Sequence, residues 1–273
     1  MKTSTLSFRF IPTALALAVA LSAGLACDPG EDEIVERAAP DALPEVDGDP
    51  ATAPADLPLD QQIAVLAPRK TAAGFLRFTD PAIEDPAAAP LLLARLDSGE
   101  DSPAVRAALA EALSRTGADY AAEVAARIPN ERDARVREIL VFTLNRRADS
   151  PDAHPGLVAG LQDDEPAVRA AAARALASRS DGASFGDSLI GLLSDDDAQV
   201  RADAARSLGV LKVATATDAL AGLLADPSAD VRLNSLRAID RIDPAHARGL
   251  DLAGFGADDD ERVRRLATRI SQR

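Results

Sequence analysis

The sequence predicts an all-α protein, an α-solenoid (superhelix) of about six stacked two-helix hairpins, each 31–32 residues long. Three observations carry that reading. The dipeptide Val-Arg occurs at Val105-Arg106, Val136-Arg137, Val168-Arg169, Val200-Arg201, Val231-Arg232 and Val263-Arg264, at intervals of 31, 32, 32, 31 and 32 residues. A fixed period of this length is the mark of one supersecondary unit repeated along a chain. The composition is 47% hydrophobic but only 3% aromatic, so the apolar bulk is Ala, Leu and Val, which suits closely packed helices better than a β-sandwich. The apolar residues after each Val recur at helical spacing.

Within each unit an acidic turn precedes the Val: Asp101-Ser102-Pro103, Glu131-Arg132-Asp133, Asp164-Glu165-Pro166, Asp195-Asp196-Asp197, Asp226-Pro227 and Asp258-Asp259-Asp260. Asp or Ser ahead of a helix accepts a free amide hydrogen, and Pro at the first position has none to leave unpaired. The second helix of the unit then starts at the Val. At about 100° per residue, positions +3, +4, +7 and +8 from it fall within about 80°, one apolar stripe. In the third unit these are Ala171, Ala172, Ala175 and Leu176. The first helices are marked by Leu91-Leu92-Leu93, Val124, Leu157-Val158, Leu189-Ile190, Leu220 and Leu250 with Leu252. A hairpin this short cannot bury its apolar face alone, so each must stack on the next.

Four segments follow from these patterns. Residues 1–26 have a basic start (Lys2, Arg9) and an apolar run from Ile11 to Ala26 ending in small residues, the layout of a secretory signal peptide. The run is shorter than the roughly 20 residues of a membrane span and is interrupted by Pro12. Residues 27–60 form a Pro-rich acidic tether: positions 28–60 hold eleven acidic residues, one Arg and six Pro. Such a segment buries too little apolar surface to offset its ordering entropy. At about 3.1 Å per residue it could reach roughly 100 Å. Of the chain's −14, this stretch carries −10 and the leader +2, which leaves −6 for residues 61–273. Residues 61–85, with Phe75 and Phe78, are expected to cap the first hydrophobic face, and residues 86–273 to form the solenoid.

The single cysteine, Cys27, excludes a disulfide framework and a cysteine-rich metal site. It follows the small residues of the leader, and the junction resembles the lipobox of bacterial lipoproteins, which implies lipidation of Cys27 and a membrane anchor in the cell envelope. The usual Leu three residues ahead is Gly24 here, with Leu25 one place later. Ordinary cleavage after Ala26, giving a periplasmic or secreted soluble protein, fits the same residues.

The repeat itself resembles the short HEAT-like repeats of phycobilisome lyases, with pattern Leu-x-x-Leu-x-Asp, acidic turn, Val-Arg, Ala-Leu; residues 91–97 with 101–113, and 189–193 with 195–208, follow it most closely. The resemblance implies a structural ladder in which turn Asp and Val-Arg arginines pair, here Asp101, Asp164, Asp196 and Asp259 with Arg106, Arg169, Arg201 and Arg264. The second unit has Arg132 at the acid position.

Position +6 points at 240°, away from the apolar stripe, and holds Glu111, Phe142, Arg174, Arg206, Arg237 and Arg269. Four consecutive units thus present Arg on one face. Arg rows recognise carboxylates or phosphates through forked hydrogen bonds. Phe142 with Arg174, Arg206, Arg237 and Arg269 is therefore the candidate partner-binding surface, set against the plainer reading of a solvated face paired with neighbouring acids. A third reading has the acidic tether occupying it.

Catalytic and metal sites are not expected. The acidic runs lack the spacing of a calcium loop and sit where helix N-termini favour negative charge. The two His residues, His154 and His246, have no His or Cys at ligand spacing. The di-iron deoxyhypusine hydroxylases, a related repeat class, use His-Glu pairs, and this sequence has no His-Glu dipeptide. There is no phosphate loop or nucleophile elbow, and the net negative charge speaks against nucleic acid. The expectation is a monomeric, non-enzymatic scaffold without cofactor that binds a protein partner, an acidic one if the Arg row is the contact. A phycobilin-lyase-like enzyme or accessory subunit and a structural envelope protein are the alternatives.

Overall fold

The computed structural model describes residues 58–71, 76–99, 102–147, 150–252 and 254–273. The leader, Cys27, the tether up to residue 57, Phe75 and Asp101 lie outside the described residues. Helix α1 (Leu59–Val65) opens the described chain, so the last two positions read as tether are helical. A short antiparallel pair follows, β1 (Arg69–Lys70) with β2 (Leu76–Arg77), in register Arg69 to Arg77 and Lys70 to Leu76. Ile63, Leu66, Phe78 and Ile83 from this region are buried in the same core as Leu92 and Leu96. The Arg95 guanidinium ties the cap down: it donates to the Leu66 carbonyl at 2.7 Å and lies 5.4 Å from the centre of the Phe78 ring.

Six hairpins come next. Their first helices are α2 (Ala89–Asp97), α4 (Ala121–Arg127), α6 (His154–Leu161), α8 (Gly186–Gly191), α10 (Thr217–Gly222) and α12 (Pro244–Gly249). Their second helices are α3 (Pro103–Leu113), α5 (Ala134–Asn145), α7 (Pro166–Ala177), α9 (Ala198–Leu211), α11 (Ala229–Ile242) and α13 (Glu261–Ser271). The fold is the α-solenoid that the period predicts. One marker is displaced: α12 stops at Gly249, and Leu250 and Leu252 follow it outside any helix. Asp243 caps α12 and Pro244 starts it, and Gly249, a poor helix former, ends it.

The second helices pack successively on one another, α3 on α5, α5 on α7, α7 on α9, α9 on α11 and α11 on α13, and so form one continuous layer. Each is therefore buried over more than a single stripe. In α7 the side chains at +2 (Ala170) and +5 (Ala173) are as buried as those at +3, +4, +7 and +8. Small side chains make this approach possible. At Gly209 in α9 an added Cβ would lie 2.7 Å from the Cα of Ala238 in α11, closer than any side chain permits. Buried hydroxyls cross the same seams: Thr143 donates to the Ala110 carbonyl at 2.8 Å and Ser207 to the Ala173 carbonyl at 2.9 Å.

Candidate functional site

Two rows of arginine run along the second helices, one at the Val-Arg position and one five residues further on. In the first row the same kinds of contact recur from unit to unit. Arg137, Arg169, Arg201 and Arg232 each turn one terminal nitrogen back onto two carbonyls of their own acidic turn, at 2.7–3.1 Å. The opposite edge of each guanidinium reaches forward and holds a carboxylate of the following unit with two parallel hydrogen bonds. These forked pairs are Arg106 with Glu131, Arg137 with Asp163, Arg169 with Asp195, Arg201 with Asp226 and Arg232 with Asp258, at 2.6–3.0 Å.

The acids of this ladder stand one residue before the ones the resemblance implies. Asp164, Asp196 and Asp259 are exposed, and they contribute to it through their main-chain carbonyls, which accept from Arg169, Arg201 and Arg264. Asp259 adds a side-chain contact to Arg232. The reason is local geometry. The carboxylates of Asp163, Asp195, Asp226 and Asp258 each accept the amide two residues on, at 2.8–2.9 Å, which folds the acid inward over the helix start. Glu131 does the same with the Asp133 amide at 3.0 Å, so the second unit keeps its pair although Arg132 occupies the expected place. The signal was present in the sequence: six residues before the Val-Arg arginine stand Glu100, Glu131, Asp163, Asp195, Asp226 and Asp258, an acid in all six units. True helix caps lie two residues later, where Asp133, Asp197 and Asp260 accept free amides.

These carboxyls are held ionised. Burial disfavours the charge on Asp195, but the hydrogen bonds from Arg169 and from the Asp197 amide outweigh it and keep the group below the ordinary carboxylate range. Asp226 follows the same balance with Arg201 and the Ser228 amide. Asp258, gripped chiefly by Arg232, is lowered to about 2.

The second row is less uniform. Arg174 is partly exposed and pairs at 2.6 Å with Asp203, a buried acid of the next second helix, which also accepts from Gln199 at 2.9 Å. Arg206 is exposed and has no hydrogen-bond or ion-pair partner among the described residues. Arg237 is half-buried and Arg269 exposed. Phe142 is half-buried, and the Arg146 guanidinium lies 5.3 Å from its ring centre. The row thus lies on the open strip of the second-helix layer.

The histidines do other work. His154 Nε2 lies 2.7 Å from a carboxylate oxygen of Asp181 and 2.8 Å from buried Arg179, and its ring meets Phe185 edge-on at 5.0 Å. This cluster ties the turn after α7 to the start of α6, and sequence spacing gave no hint of it. His246 sits in the first turn of α12, its amide bonded to Asp243. Among the described residues no three His, Cys, Asp or Glu side chains converge as a metal site.

The described residues thus form a two-layer helical solenoid whose units are joined by a repeated Arg–carboxylate clamp. Family models agree: a HEAT-repeat model matches residues 155–178 and a second model of HEAT repeats matches residues 186–271. Solved structures share the fold. An engineered protein superposes with a TM-score of 0.51 at 20% identity, over 66% of this chain and 97% of its own. A designed armadillo repeat protein in complex with a (KR)4 peptide gives 0.51 at 16% identity, over 67% and 98%. The CpcE–CpcF complex of phycocyanin lyase from Nostoc gives 0.50 at 21% identity, over 66% and 74%. No curated protein sequence matches the chain.

Proposed function

We propose that this chain is an exported scaffold, anchored to the bacterial cell envelope by lipid on Cys27, that holds an acidic protein partner on the inner face of its solenoid. The observation that carries the reading is the second arginine row. Four units in succession offer Arg174, Arg206, Arg237 and Arg269 on the open strip, and Arg206 stands there exposed and unpaired among the described residues. A cation in that state keeps its full capacity for a forked contact with a carboxylate. The designed armadillo protein of similar fold takes a (KR)4 peptide. A row of Arg asks for a ligand of the opposite sign, which supports an acidic segment here. Phe142 extends the same strip toward the N-terminal units and supplies an apolar contact beside it.

Anchoring is the second part of the proposal. Residues 27–60 would hold the solenoid away from the membrane surface. Mass spectrometry of the mature N-terminus should find acylated Cys27, and an unmodified terminus would overturn the anchor. The binding claim is tested by joint replacement of Arg174, Arg206, Arg237 and Arg269 with Ala. Partner recovered by cross-linking in envelope membranes should be lost, and its retention at the wild-type level would contradict the assignment.

A further inference from the structure

The second arginine row has a neighbour one helical turn on. Ten residues past the Val of each unit stand Arg115, Arg146, Ser178, Val210, Arg241 and Arg273, rotated by about 40° from the row at position +6 and therefore on the same strip. Arg115 is half-buried and the other five are exposed. Val210, at 44%, is the one exposed large hydrophobic side chain among the described residues. The other members of its column are polar.

What surrounds Val210 is cationic. Arg206 lies one turn earlier on α9. Across the seam, Gly209 lets α9 approach the backbone of α11 so closely that an added Cβ would come within 2.7 Å of the Ala238 Cα. That contact sets Gly209 level with Ala238, so Val210 stands between Arg206 behind it and Arg241 ahead of it on the neighbouring helix. Both arginines are exposed, and neither has a hydrogen-bond or ion-pair partner among the described residues. The acids of the two helices are already engaged: Asp203 by Arg174, Asp230 by Arg262 and Asp240 by Arg273. An apolar side chain is thus flanked by two cations, with no carboxylate of α9 or α11 left to neutralise them. With helix axes about 8–10 Å apart and a rise of about 1.5 Å per residue, the two arginine positions are roughly 12 Å apart. An extended strand covers that distance in about four residues, with alternate side chains on one face.

We infer that Arg206, Val210 and Arg241 set the specificity of the surface: they fit an acidic segment of a partner protein, bound in extended form, in which two carboxylates about four residues apart flank an apolar side chain. The inference rests on the reading of the second arginine row as a partner surface, and it adds to that row an apolar anchor and a cation outside it. The carboxylates take the forks of the two guanidinium groups, and the apolar side chain covers Val210 and removes it from water.

The test pans a random peptide library displayed on phage against the immobilised full chain. Recovered peptides should carry Asp or Glu on both sides of a Leu, Ile, Val or Phe. By fluorescence polarisation, Val210→Asp and Arg241→Gln should each weaken the binding of such a peptide by about tenfold or more, the scale of one charge-assisted contact. Val210→Gln, which removes the apolar surface and adds no charge, should weaken it about threefold. Arg132→Gln, at an exposed position on the turn before α5, should leave it unchanged. All three positions are exposed, so the urea midpoint of every variant should stay at the wild-type value. Acidic peptides that lack an apolar residue and bind wild type and Val210→Asp equally would overturn the inference and leave the arginine row standing. Recovery of no acidic peptide would overturn both. Self-association in sedimentation that Val210→Asp abolishes would assign the patch to a second copy of the chain and overturn the inference as well.

Discussion

Arg169 and Arg174 stand five residues apart on one helix, and their counterparts in α9, Arg201 and Arg206, repeat the spacing. The first of each pair is locked: one edge on its own turn, the other on a carboxylate of the next unit. The second is decided by what the next helix happens to present. Asp203 meets Arg174, whereas Arg206 meets nothing among the described residues. The same side chain is therefore mortar at one position and available surface at the other. The difference lies in neighbouring carboxylates, not in the arginine.

The contrast can be broken at its strong side first. Arg169→Ala removes two forked bonds and two turn bonds and leaves Asp195, largely buried, without its counter-charge. Hydrogen bonds to charged groups and the stranded acid together predict a loss of roughly 2–4 kcal/mol, read as a lower urea midpoint. Acid acts on the same row. Asp195, Asp226 and Asp258 have folded-state pKa values below their unfolded ones, so their contribution is complete above the unfolded carboxylate range and is lost as pH falls through the folded values. Thermal stability should hold down to about pH 4 and then decline toward the value of about 2 that Asp258 reaches. A smaller effect is expected from Asp203→Asn, which frees Arg174 and leaves a neutral amide in place of a buried acid: about 1 kcal/mol in the same urea experiment. Smallest of all, Arg206→Ala should shift the midpoint by no more than about 0.5 kcal/mol.

The spacing of Val-Arg was enough to read the architecture, because the period, the acidic turns and the small apolar residues all point to stacked hairpins. The inward acid stands one residue before the one the resemblance implies. A run such as Asp195-Asp196-Asp197 offers three carboxylates of equal chemistry, and only the turn that folds Asp195 onto the Asp197 amide chooses among them. Aligning the units on position −6 would have found the acid in every one. The fate of Arg174 was beyond such alignment, since Asp203 is an acid where the other second helices carry Ala108, Ile139, Ala171, Asn234 and Leu266. The cluster of His154, Arg179, Asp181 and Phe185 was hidden for a similar reason: it joins the two ends of one unit through residues with no counterpart in the others.

The division between the two rows is tested most directly by site-specific photo-cross-linking in intact envelopes. A photoreactive residue is placed at Arg206 on the second-helix layer and, separately, at exposed Asp218 on α10 of the other layer. A discrete adduct formed from position 206 and absent from position 218, with the urea midpoint of both variants at the wild-type value, is the predicted result. Equal labelling from both faces, or a large loss of stability from the change at 206, would contradict the claim that Arg206 is open to a partner while the first arginine row holds the solenoid together.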